Sequence, residues 1–201
     1  EVSATPLSYA FDTKWGSYGY ADGQLAAPEQ ITIDIWGDLY IYDERGGGRI
    51  QKFDIDGNFK RSIQGTGEVD WHTNICTDLA GSLYTYGRLS SSNWCIRKYN
   101  NIGELQQTWS DVTGGYWGMV MNNSGNILMT GLEEVYLFNP ATGSSGKWGS
   151  FYSYLDSNTF LHGIACDSSG NVFIVQSNST YDGSVAKIIK VDSNGNYIKS
   201  W

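Results

Sequence analysis

The chain has 201 residues, with 21 Asp and Glu against 13 Lys and Arg, for a formal net charge of −8. That balance opposes the counterion-release attraction behind non-specific nucleic-acid binding, and no stretch reaches the roughly 18–20 consecutive apolar residues of a membrane-spanning helix. Only 17% of residues are charged, while 14% are aromatic and 25 are Gly, a profile of short strands and tight turns within one domain over 1–201.

In chain order, the segment 7–15, containing YAFDTKW, reads as an extra outer strand ahead of the first complete repeat. From there a unit recurs. IDIWGDLYIY from 33 returns as TDLAGSLYTY from 77, MNNSGNILMT from 121 and CDSSGNVFIV from 166, so Asp34, Asp78, Asn122 and Asp167 are spaced 44, 44 and 45 apart. A second series lies between them, with Asp54, Asn100, Asn139 and Asp192 each nine residues before a large apolar residue, namely Ile63, Trp109, Trp148 and Trp201.

An Asp or Asn followed three residues later by Gly, flanked by β-prone residues, suits a hairpin on a type I turn with Gly in the left-handed position. Asp167, Gly170 and Asn171 could also supply oxygens to a cation, but a calcium loop needs further acidic ligands at fixed steps, and the turn accounts for every conspicuous residue. Each repeat then holds four strands, in the first 30–33, 38–42, 49–53 and 58–63, and a four-stranded unit of about 40–45 residues is a β-propeller blade. The expected fold is all-β, a propeller of four recognisable blades at about 16–63, 64–109, 110–148 and 149–201. The first strands, QITI, NICT, GMVM and GIAC, have little polar content and are expected innermost and buried on both sides.

The run KWGSYGYADGQLAAPEQITIDIWGDLYIYDERGGGRIQKFDIDGNFKRSI, residues 14–63, resembles the NHL-repeat propellers: a Trp-Gly turn, a Gly-Gln step, a Pro before the inner strand, and a closing Lys-Phe-Asp-x-x-Gly. Asp43 and Arg49 correspond to that family's paired Asp and Arg. The resemblance implies a propeller whose relatives usually have six blades and whose functions range over lyases, RNA-binding domains and protein-interaction scaffolds. Four repeats with a strand to spare leave three arrangements open: a four-bladed ring with an extra strand, part of a larger ring, or an arc completed by another chain.

Propellers bind ligands where the loops entering the inner strands converge. Aligning the repeats there superposes Glu29, Thr73, Trp117 and His162, with Pro28, His72, Tyr116 and Leu161 one step earlier. In the amidating lyases that the family resemblance brings in, His residues at such entries hold zinc. Here only His162 takes the matching place and His72 is offset, whereas catalytic zinc wants three protein ligands, so no metal or other cofactor is expected.

Glu29 and His162 could serve as a general base beside a stabiliser of negative charge. The plainer reading is that Glu29 accepts loop hydrogen bonds and His162 packs in the funnel. Trp71, His72, Tyr116 and Trp117 form an aromatic and polar mouth able to stack on a sugar or grip a peptide, while Trp15, Trp109, Trp148 and Trp201 at repeat ends read as core between blades.

Cys76, Cys95 and Cys166 form an odd set without a CxxC pair, and buried thiols act as small hydrophobes. Lys52, Lys98 and Lys190 recur in the third strands and are expected to line an exposed blade face. RGGGR at 45–49 lacks the helix and Lys-Ser or Lys-Thr pair of a phosphate loop and reads as a flexible loop.

The chain opens at Glu1 with neither Met nor a signal-like apolar segment, which suits a processed secreted protein or a trimmed piece alike. The functional expectation is a non-catalytic extracellular module that binds a protein, itself or a glycan through its funnel and blade edges. The alternative is a lyase or hydrolase acting at Glu29 and His162.

Overall fold

A computed structural model describes residues 13–46, 48–63, 70–88, 93–112, 117–156, 159–178 and 186–201. Among these residues, sixteen strands form four antiparallel sheets, each in simple up-and-down order. The first blade comprises β1 (Pro28–Ile33), β2 (Leu39–Asp43), β3 (Arg49–Phe53) and β4 (Phe59–Ile63). The second holds β5 (Asp70–Thr77), β6 (Leu83–Arg88), β7 (Trp94–Tyr99) and β8 (Leu105–Ser110). In the third are β9 (Gly118–Met121), β10 (Ile127–Thr130), β11 (Val135–Asn139) and β12 (Ser144–Lys147), and in the fourth β13 (Thr159–Cys166), β14 (Val172–Asn178), β15 (Ala186–Val191) and β16 (Tyr197–Ser200).

The inner strands pack side by side, β1 on β5, β5 on β9 and β9 on β13. This is the four-bladed propeller that the repeat implies. Segment 7–12 of the expected extra strand lies outside the described residues, and RGGGR is partly a short 3-10 turn, Glu44–Gly46.

The hairpins form for a local reason. Asp167 Oδ1 accepts the amides of Ser169 and Asn171 at 3.0 and 2.8 Å, while the Asp167 carbonyl accepts the Gly170 amide at 3.0 Å. The aspartate folds the turn around its own carboxylate. Asp34, Asp54, Asp78, Asn100, Asn122 and Asp192 repeat the arrangement. The Asn139 turn is one residue longer, closing on Gly143.

Burial follows from stacking. Tyr40, Tyr42 and Ile50 of the first blade close on Ile75, Leu83 and Tyr99 of the second. Tyr84, Tyr86 and Ile96 meet Met119, Ile127 and Phe138 of the third. Leu128 and Val135 then meet Leu161, Val172 and Ile174 of the fourth.

Each outer-turn glycine sits beneath the closing residue of the blade before it: Gly57 under Trp15, Gly103 under Ile63, Gly143 under Trp109 and Gly195 under Trp148. At Gly195 φ is +81° and an added Cβ would overlap the Gly149 backbone, whereas at Gly37 φ is +85° and nothing lies within 4 Å. Gly195→Ala is therefore expected to cost at least about 2 kcal/mol, and Gly37→Ala only about 1, the left-handed strain alone. Paired urea titrations measure the difference.

Three expectations are corrected. Lys52 does not line an exposed face; it is buried between the first two blades, 2.9 Å from Asp34 and 3.1 Å from Asp38, with its ammonium 4.7 Å from the Tyr40 ring centre. Burial opposes its charge, but Tyr40 and the two carboxylates prevail and hold its pKa above the usual lysine value. Likewise burial pushes Asp38 up, and the hydrogen bonds from Lys60 and Lys52 more than reverse this.

The inner strands of the first and fourth blades are not buried on both sides, because Ile31 and Ile33 in the first, and Gly163 and Ala165 in the fourth, are exposed. Nor is Trp201 core between blades; it too is exposed. Among the described residues, no packing like that at the other three junctions joins β13 back to β1.

Candidate functional site

The inner strands do not enter the blades smoothly. Pairing of β1 with β2 slips between Pro28 and Gln30, that of β5 with β6 between Asp70 and Asn74, and that of β13 with β14 between Leu161 and Ile164. Those irregularities fall on Glu29, on 71–73, and on His162 with Gly163. In the third blade Trp117 lies just before β9, its amide bonded to the Thr130 carbonyl at 3.0 Å. A bulge bends a strand and re-aims a side chain out of the alternating pattern, so the first and fourth blades redirect Glu29 and His162 at the same point, and the second blade's backbone breaks register at the matching place. The sequence aligned these positions but gave no sign of the bulges.

Between the third and fourth blades the geometry is well defined. The Trp117 ring stacks on His162 with centroids 5.4 Å apart and planes at 28°, and lies 5.2 Å from Phe160 at 60°. Gly118 permits this approach, since a Cβ there would lie 2.5 Å from the His162 carbonyl oxygen. The Thr130 hydroxyl donates to that same carbonyl. His162 is thus fixed through its backbone while its imidazole rests on an aromatic face. Phe160 was not singled out from the sequence, because only the fold sets it across from Trp117.

Glu29 is exposed on the first blade, on the wall of a cavity of about 330 Å³ with Trp15, Leu25, Pro28, Gln30 and Ile31. It and His162 belong to the first and last blades, whose inner strands do not pack together as neighbouring ones do. The side chains of Trp71, His72 and Thr73, and all of Tyr116, lie outside the described residues. Among the described residues, no three His, Cys, Asp or Glu side chains converge as metal ligands.

The segment leading to Glu29 is clamped from beneath. Arg49 donates to the carbonyls of Tyr20, Ala21 and Gln24 at 2.8, 3.1 and 2.8 Å and pairs with Asp43 at 3.3 Å. Asp43 in turn accepts the amides of Ala26 and Ala27 at 2.9 and 2.6 Å. A second cavity, of about 270 Å³, opens at the far end of the inner strands among the turns of the first three blades, where Asp34, Ile35, Asp78, Leu79 and Asn122 line it.

No sequence family and no curated protein matches the chain. Its fold does match solved structures. A gluconolactonase from Xanthomonas campestris superposes with a TM-score of 0.61 at 14% identity, over 85% of this chain and 60% of that one. TolB from Acinetobacter baumannii gives 0.62 at 14%, over 83% and 41%. PQQ-bound aldose sugar dehydrogenase from Streptomyces coelicolor gives 0.57 at 13%, over 88% and 68%.

The chain spans about 60% of the length of the gluconolactonases it matches. At such identity the likeness establishes the propeller fold. The expectation of a non-catalytic binding or assembly module is corrected by these neighbours, since the gluconolactonases and the sugar dehydrogenase among them are enzymes.

Proposed function

We propose that the chain belongs to a propeller hydrolase whose site is the bulged mouth, and that its substrate is a small hydroxyl-rich acyl compound of the sugar-lactone kind. The observation that carries this is the coincidence of three strand bulges with the entry residues, one of which, His162, rests on Trp117. The gluconolactonase neighbours suggest the substrate class.

In such a reaction a water oxygen attacks the acyl carbon and its proton passes to a base, for which the His162 imidazole and the Glu29 carboxylate are the candidates. The ring acyl–oxygen bond then breaks, and the departing oxygen takes a proton to leave a hydroxy acid. Trp117 and Phe160 supply apolar faces for the sugar ring. The repeat itself we read as NHL-type, supported by the buried Asp43–Arg49 pair and by Trp15 seated on Gly57.

The test is turnover. Proton release from a panel of aldonolactones should exceed the buffer rate when the protein is added. A folded protein that opens no lactone or simple ester contradicts the proposal.

A further inference from the structure

A four-stranded meander puts its first and third turns at the same end, so the Asp and Asn hairpin turns of all four blades share one face of the molecule, opposite the mouth. The two halves of that face differ. Between the Asp or Asn and the Gly, the turns of the third and fourth blades carry no large apolar residue, but residues such as Asn123, Ser124, Ser168 and Ser193. The matching positions of the first and second blades hold Ile35, Trp36, Ile55, Leu79 and Ile102. All five are exposed, Trp36 by 59% and Leu79 by 80%. The turn itself needs only its Asp or Asn and its Gly, so the hairpins do not account for these side chains.

The apolar half is also held in shape. Trp36 lies across the turn of the second blade, where a Cβ on Gly81 would come within 1.9 Å of its ring. Arg61 of the first blade donates to the Ile102 carbonyl of the second. Ile35 and Leu79 line the cavity of about 270 Å³, with Met121 in its wall. The carboxylates beside them are already paired, Asp34 and Asp38 with Lys52 at 2.9 and 3.1 Å and Asp78 with Lys98 at 3.6 Å. Covering this surface therefore leaves no charge without a partner.

We infer that this half-face is a homodimer interface, on which two copies meet turn end to turn end about a two-fold axis and the Leu79 side chain of each enters the other's cavity. A surface that carries a protruding apolar side chain next to an apolar cavity fits itself, which is the condition for an isologous contact. Cavities of about 150 Å³ already accept benzene, so this one has room for a leucine side chain. From their exposures the five residues offer roughly 600 Å² per copy, so a pair would bury about 1,200 Å², where stable specific interfaces begin. Both mouths stay open to solvent in such a pair, and the inference stands or falls independently of the hydrolase reading.

Sedimentation equilibrium of the full chain tests it. A reversible monomer–dimer exchange is expected, and it should tighten as salt is raised, because two copies of a chain of net charge −8 approach with Asp56 and Glu104 in solvent at the rim. Leu79→Ser and Ile35→Ser, at exposed positions outside the core, should each raise the dimer Kd by about tenfold or more. Ser168→Ala, at the matching turn of the fourth blade, should leave it unchanged. A chain still monomeric at about 1 mM, or a dimer that neither Leu79→Ser nor Ile35→Ser weakens, would overturn the inference. So would a wild-type monomer that sediments with phosphatidylcholine vesicles through Leu79, which would make the face a membrane contact.

Discussion

Replacing Arg49 by Ala is expected to destabilise the protein by about 3–5 kcal/mol, as breaking a buried ion pair generally does. Both partners are buried, so the Asp43 carboxylate would keep its two amide donors but lose its counter-charge, and the Tyr20 carbonyl would lose its Arg49 donor, while the Ala21 and Gln24 carbonyls would each drop to one donor, the Gln24 amide and the Gln51 side chain respectively. Against a total stability of about 5–15 kcal/mol, that is a large fraction. Lys at 49 should rescue little, because one ammonium cannot reproduce a guanidinium fork that reaches three carbonyls and a carboxylate. Urea denaturation of wild type, Arg49→Ala and Arg49→Lys measures it. A loss under about 1 kcal/mol for Arg49→Ala would mean that the clamp does not hold the entry segment.

Replacing His162 by Ala is expected to lower lactone turnover by about 10²–10⁴-fold, the usual contribution of a positioned acid or base. Stability should change far less. The bond from Thr130 and the close approach of Gly118 both involve the His162 carbonyl, which Ala retains. Trp117→Ala should raise KM, by removing an apolar face for the substrate ring, and also lower kcat, by removing the surface on which the His162 imidazole rests. Melting temperature and steady-state kinetics on the three proteins separate these effects. A His162→Ala protein that is folded and fully active would remove His162 from the chemistry and leave Glu29 as the candidate.

What the sequence reveals divides by the range of the interaction. The turns were legible because Asp167 and its counterparts bond to amides two and four residues on, and Gly170 and its counterparts meet a local need for positive φ. Strand limits followed to within a residue or two. Lys52 was misjudged because alternation along a strand separates two faces without saying that both meet other blades, so a lysine buried against Asp34 resembles one in solvent.

Ile31 and Trp201 fail in the opposite sense. Both have the letters of a buried position, and only the three-dimensional arrangement leaves them uncovered. At the mouth, alignment of the repeats found Glu29, Trp117 and His162. The bulges that turn Glu29 and His162 depend on pairing with a neighbouring strand, and no local pattern encodes them.

Chemistry is expected at the bulged mouth and not among the turns at the far end of the inner strands. Titrating the protein with a lactam analogue of an aldonolactone while following the tryptophan indole N–H resonances tests it most directly. Trp117 should shift on saturation while Trp36, which adjoins the turn-end cavity residue Ile35, does not move. Movement of Trp36 with Trp117 unchanged would contradict it.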